Sequence, residues 1–189
     1  MIIKRFCPTM LAACVATVAT LGLSHSAATA ASSAYTNLDA NKCQLIDKSK
    51  EGEGEWARFR CPGYRGWRVQ LDAGDLREWV RLRPRSSPKW ATLRGPVTNF
   101  NRIGPKMEWR ARVKGGQPYA VIYRISTTRN DRRKNRSFLY VAKLGPGGVC
   151  LVAVVHRNAK PSQNLAARRA ADTIAAGFDC FQNKPLIIR

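Results

Sequence analysis

Histidine is nearly missing from this chain. There are two in 189 residues, and His156 is the single one beyond residue 30. One imidazole excludes multi-histidine metal sites. No Gly-x-Ser-x-Gly stretch exists to present a serine nucleophile to it. No two of the six cysteines stand in a Cys-x-x-Cys spacing, which excludes a dithiol redox pair and a zinc knuckle. Acids are scarce, with 12 Asp and Glu against 33 Lys and Arg. Repeats and low-complexity tracts are absent, and no apolar run reaches the roughly 18 residues of a membrane span.

The N-terminus has the pattern of an export signal. Lys4 and Arg5 form a basic head, Met10 to Leu23 is mostly small and apolar, and Ala28-Thr29-Ala30 fits a signal-peptidase site. Residues 1–30 therefore read as a signal peptide and residues 31–189 as one secreted domain, with no transmembrane helix in the mature chain. A second processing route is written in Leu11-Ala12-Ala13-Cys14, which matches a lipoprotein box that would leave Cys14 lipidated. Only five residues separate Arg5 from that box, short for the apolar segment such a signal needs. The expected location is the periplasm or the exterior.

Cleavage removes Cys7 and Cys14 and leaves Cys43, Cys61, Cys150 and Cys180. Four cysteines in an exported chain read as two disulfides, for which three connectivities exist. Pairing Cys43 with Cys61 and Cys150 with Cys180 closes two short local loops, and this is the expected arrangement. Cleavage also removes two of the 33 cations and no acid, so 31 face 12 and the surplus is 19. Such a surplus attracts polyanions through the field of the whole surface.

Period-two alternation dominates the remainder. Ala31 to Ala34 reads as a loose start, and Cys43, Leu45 and Ile46 as a short first strand. Lys48 to Gly54 is a polar turn. From Glu55 to Cys61, Ala57, Phe59 and Cys61 share one strand face, with Trp56, Arg58 and Arg60 on the other. Pro62-Gly63 ends that strand, Trp67 to Leu71 forms the next, and Leu76 to Leu82 another. Arg83 to Pro96 reads as loop and Asn99 to Pro105 as irregular. Met107 to Val113 and Tyr119 to Ile125 make a hairpin about Gly115-Gly116. Phe138 to Leu144 is a strand, and Val149 to His156 is a continuous apolar run of the kind found in buried central strands. Leu165 to Ala176 is the one helix, capped by Asn164, with an alanine-rich stripe and Gly177 for a left-handed end. The expected fold is α+β: six to seven mostly antiparallel strands in one sheet or open barrel, with the C-terminal helix on one face.

Four groups of residues are candidates for function. Arg129, Arg132, Arg133, Lys134 and Arg136 put five cations beside the single Asp131 in eight residues, at the expected tip of a hairpin. They are the candidate binding site for phosphate or carboxylate polymers. Arginine also alternates with tryptophan in Trp67-Arg68, Arg77-x-Trp79-x-Arg81 and Trp109-Arg110, a pairing that stacks sugars or bases, although tryptophans at strand positions more often fill cores. Glu55 with Asp75 or Glu108 supplies the two carboxylates of a hydrolase, but nothing marks the acid whose pKa would be raised. His156 has no evident catalytic partner. No nucleic-acid motif is present, no catalytic residue stands out, and no cofactor or metal is implied.

Tyr35-Thr36-x-Leu38-Asp39, Cys43, Glu55-Trp56, Cys61-x-Gly63-Tyr64-x-Gly66, Gly74-Asp75-Leu76-Arg77, Gly104-Pro105-x-x-Glu108-Trp109-Arg110 and Gly148-x-Cys150 resemble, in this order, a family of uncharacterised exported proteins of alphaproteobacteria. The resemblance spans nearly all of residues 31–189. It implies a single secreted domain and no assigned activity, and the run at 129–136 is not part of its pattern. The expected function is that of a non-catalytic periplasmic or secreted binding protein with a basic surface, for anionic envelope polymers or an acidic protein. The alternatives are a small carboxylate-dependent envelope hydrolase and a plain structural envelope protein.

Overall fold

The computed structural model describes residues 31–97, 100–127, 136–145 and 148–189. Its strands are β1 (Ser32–Asn37), β2 (Gln44–Lys48), β3 (Trp56–Cys61), β4 (Trp67–Gly74), β5 (Arg77–Pro84), β6 (Ala91–Leu93), β7 (Asn101–Ala111), β8 (Pro118–Thr127), β9 (Arg136–Lys143), β10 (Cys150–His156) and β11 (Leu186–Ile188). The helix α1 spans Gln163–Thr173. One sheet has six strands in the order β1-β7-β8-β9-β10-β11, and the other is a five-stranded meander, β2 to β6. All neighbours are antiparallel except β10 and β11.

The molecule has three layers, and side-chain alternation decides what each face touches. Val69, Leu71, Val80, Leu82 and Leu93 of the smaller sheet pack on Met107, Trp109, Val121, Tyr123 and Tyr140 of the larger. Trp109 is fully buried, and its indole N–H donates to Thr36 Oγ1 at 2.8 Å, so the largest core ring leaves no polar atom unpaired. The other face of the larger sheet (Ala120, Ile122, Leu139, Val141, Val152, Val155) lies under Ala166, Ala167, Ala170 and Ala171 of α1. Alanine has almost no side chain, so the helix approaches the strands closely. The larger sheet is thus buried on both faces, which explains the uninterrupted apolar run of β10. Among the described residues no layer lies over the outer face of the smaller sheet.

Two disulfides join Cys43 to Cys61 and Cys150 to Cys180, the local pairing expected. Other expectations are corrected. Instead of one sheet or barrel of six to seven strands there are two unclosed sheets. Ser32 to Ala34, expected to be loose, belong to β1, which pairs with β7 in register from Ser32–Ala111 to Asn37–Lys106. The stretch 99–105 is not irregular throughout, because β7 starts at Asn101 and absorbs Gly104-Pro105 at a break in the ladder between Ile103 and Met107, where proline's missing N–H costs no bond. A short strand, β6, interrupts the loop expected over 83–96, and β11 adds a parallel edge. Ser162, not Asn164, caps the helix by accepting from Leu165 N–H, and Gly177 lies outside the left-handed region.

Candidate functional site

Cross-strand register assembles the uncovered face of the smaller sheet. Arg58 pairs with Asp72 and Asp72 with Trp79; Arg60 pairs with Gln70, Gln70 with Arg81 and Arg81 with Thr92; Arg68 pairs with Arg83. Partners in such a ladder share a face. Trp56 and Arg77 flank Gly74 on the same side. The chain just outside β6 adds Trp90 and Arg94. The core-facing positions of these strands hold Val69, Leu71, Val80 and Leu82, so every second residue is committed to the interior and the alternate ones to this face.

Guanidinium groups lie against the aromatic rings. Arg58 is 5.9 Å from the Trp56 ring centre, Arg94 is 5.7 Å from Trp79, and Arg81 and Arg83 are 5.7 and 4.8 Å from Trp90. Arg77 is 5.3 Å from Phe100. Each such contact contributes about 0.5–1 kcal/mol at an exposed site and holds the charged head in place. Asp72 ties the centre together: it accepts from Arg58 Nε at 3.2 Å and from Gln70 Nε2 at 3.0 Å, with Arg81 at 3.5 Å. Gln70, between Arg60 and Arg81 in the ladder, is 4% exposed. Arg81 Nε and Arg83 Nε are enclosed and have no hydrogen-bond partner. Enclosed N–H donors without acceptors are costly, and here the cost falls on two arginines of the same face.

A groove of about 1550 Å³ runs over Arg58, Asp72, Trp79, Arg81 and Arg94 to the end of the sheet, where Trp56, Arg77 and Phe100 border it. Glu55, Asp75 and Glu78 line that end. Asp75 pairs with Arg77, and its N–H reaches Glu55 O at 3.4 Å. Glu78 is the acid with a shifted pKa. Burial raises it, and the hydrogen bond from Ile103 N–H at 2.5 Å and the charge of Arg102 oppose that rise. Together with the bond from Glu78 N–H to Asn101 Oδ1, this carboxyl clasps the start of β5 to the start of β7.

Glu108 belongs elsewhere. It accepts from Ser33 Oγ at 2.5 Å and from Arg168 Nε at 2.7 Å, on the helix side of the larger sheet. Beside it, Arg110 donates to both carboxylate oxygens of Asp172 at 2.9 and 2.6 Å, and Tyr119 O–H donates to Asp172 at 2.6 Å. Burial and the carboxylate together push the Tyr119 phenol up to about 12. For Arg110, burial works against the charge, but the bond and charge of Asp172 outweigh it and raise the pKa. This network fastens α1 to β1, β7 and β8. The structure therefore separates Glu108 from Glu55, and that carboxylate pair does not form.

Arg129, Arg132, Arg133 and Lys134 of the basic run lie outside the described residues, as do residues 1–30 with Cys14. Arg136 is exposed at the start of β9. His156 stacks edge-on against Phe138 at 4.9 Å, and its pKa is lowered by burial and by Arg189 and Arg136. Glu51 and Glu53 lie exposed in the polar turn expected over Lys48 to Gly54. Among the described residues no group of three or more His, Cys, Asp or Glu is placed to hold a metal ion, and no helix is long and apolar enough to cross a membrane.

Comparison with protein families, curated proteins and solved structures finds no match. Trp90 and Arg94, absent from the sequence-level candidates, join the site because β6 brings them beside Trp79 and Arg81. The nearest signal in the sequence is Trp90-x-Thr92-x-Arg94, one more aromatic–arginine alternation.

Proposed function

We propose that this chain is a non-catalytic binding protein of the periplasm or cell exterior, and that its ligand is an anionic polymer of the envelope. The observation that carries this reading is the uncovered face of the smaller sheet. Arg58, Arg60, Arg68, Arg81, Arg83 and Arg94 stand there around Asp72. The overall charge of +21 supports the same ligand class, since a field of one sign concentrates a polyanion near the surface. The two disulfides and the leader-like residues 1–30 support the location.

The test is retention on immobilised lipopolysaccharide or heparin across a salt gradient. Binding by exposed arginines falls steeply with salt, because the screening length is about 8 Å at physiological ionic strength. Replacing Arg58, Arg60, Arg68, Arg81 and Arg83 with serine should move elution to lower salt than replacing Arg129, Arg132, Arg133, Lys134 and Arg136. Greater loss from the second set would transfer the site to the basic run, and equal losses would reduce it to net charge.

A further inference from the structure

The position of the tryptophans refines the ligand class. Polyanion binding through charge alone needs arginine or lysine and no aromatic surface. Yet Trp56, Trp79 and Trp90 stand on the uncovered face, Trp56 being 39% exposed, while Trp109 is consumed by the core. Three part-exposed indoles on one sheet face cost solvation and contribute to no hydrophobic layer. Each has a guanidinium within 4.8–5.9 Å of its ring centre. A matching ligand therefore presents a flat ring face and an anionic group side by side, repeatedly.

That pattern selects among polyanions. Polyphosphate and acidic peptides carry charge but no repeated ring, and would use the indoles only through the guanidinium groups they hold. A nucleic acid carries rings, but its phosphate is separated from the base by a whole sugar. In a uronic acid the carboxylate carbon is bonded directly to the sugar ring, so ring and charge lie within a few ångströms. The C–H face of a sugar ring stacks on indole, and a carboxylate accepts two parallel N–H bonds from an arginine fork. The guanidinium groups of Arg81 and Arg83, 5.7 and 4.8 Å from the Trp90 ring centre, put such forks beside a ring on which the sugar would stack.

We propose that the outer face of the smaller sheet is a binding site for an acidic polysaccharide of uronate type, with Trp56, Trp79 and Trp90 as ring platforms and Arg58, Arg81, Arg83 and Arg94 as carboxylate forks. This rests on the polyanion reading above. Asp72 is a positioning residue: it holds Arg58 and Arg81 in place and touches no ligand.

The experiment measures binding of the purified, disulfide-intact protein to polygalacturonate, neutral dextran, polyphosphate and oligothymidylate, by tryptophan fluorescence at about 0.05 and about 0.3 M salt. Polygalacturonate should bind and quench the fluorescence, and dextran should not. Trp79→Ala and Trp90→Ala should each weaken polygalacturonate about tenfold, the scale of one lost stacking contact, and weaken polyphosphate, which loses only the positioning of the guanidinium groups, by less. Trp79→Tyr, which keeps a ring and a strand-compatible side chain, should retain most of the affinity and guards against a folding artefact. Arg81→Lys with Arg83→Lys should weaken polygalacturonate although the charge is kept. If polygalacturonate and polyphosphate bind equally and the tryptophan variants change neither, the aromatic platform is overturned while the polyanion reading stands. Tighter binding of oligothymidylate than of polygalacturonate would overturn it in favour of a nucleic acid. Failure of every polyanion to bind at low salt would remove the underlying reading itself.

Discussion

Two buried or half-buried side chains illustrate how position sets chemistry. Trp109 and Trp79 each follow a glutamate in a strand, yet Trp109 finds Thr36 for its N–H inside the core and Trp79 finds Arg94 at the surface. Glu78 shows the electrostatic side of the same rule. Burial raises its pKa in the folded chain above its unfolded value. Its contribution to stability is therefore complete at pH below the unfolded value, near 4, and is lost as pH rises through the folded value. Glu78→Gln keeps an oxygen acceptor for Ile103 N–H and removes the buried charge. The variant should be more stable than the parent at neutral pH, with the difference fading in acid. Urea unfolding across the acid-to-neutral range checks this, and a gain that persists unchanged at the acid end would show that charge is not the cause.

At the scale of elements, the helix depends on polar clasps as much as on its alanines. Four small side chains bury little area, and no charge lies in the first or last turn to complement the helix dipole. Asp172 instead locks α1 to Arg110, whose side chain is 7% exposed. Removing one partner strands the other: Asp172→Ala should cost about 2–3 kcal/mol, below the range for a fully buried pair because Asp172 itself is partly exposed. Thermal unfolding measures that loss. The same variant should let Tyr119 ionise below about 12, visible in ultraviolet titration. Replacing Arg110 with Met and Asp172 with Leu together should recover most of the stability, since two apolar groups leave no orphaned charge.

For the whole molecule, the disulfides act at two separate seams. Cys43–Cys61 fastens the crossing from β1 to the smaller sheet, where Leu38 plugs the core and its N–H bonds Pro105 O at 2.9 Å. Cys150–Cys180 ties the chain beyond α1 back to β10. The bridges span 18 and 30 residues, and loops of these sizes stabilise by about 3–4 kcal/mol each in the chain-entropy model. Cys43→Ser with Cys61→Ser should therefore lower stability by about this amount. Non-reducing peptide mapping should recover the two local pairs, and a Cys43–Cys150 or Cys43–Cys180 peptide would refute the arrangement.

Local physics made much of this protein legible in its sequence. Alternation marks β3, β4, β5, β8 and β9, Gly115-Gly116 marks the hairpin between β7 and β8, and the alanine stripe marks α1, because each depends on neighbours a few residues away. The alignment of Trp56, Arg58 and Arg60 on one face of β3 was visible for the same reason. Alternation divides a strand into two faces and does not say which will be covered. That choice fell to contacts between distant segments: β7 placed Trp109 under the smaller sheet, and among the described residues no layer covers Trp79 or Trp90. The pairings of β1 with β7 and of β11 with β10 are also long-range, joining segments about seventy and thirty residues apart, so residues 32–37 and 186–188 carried no local sign of them. The sequence by itself determined the alternating strands, the four cysteines and the composition of each face; only the tertiary structure decided which faces were buried, because covering a face requires a partner layer from elsewhere in the chain.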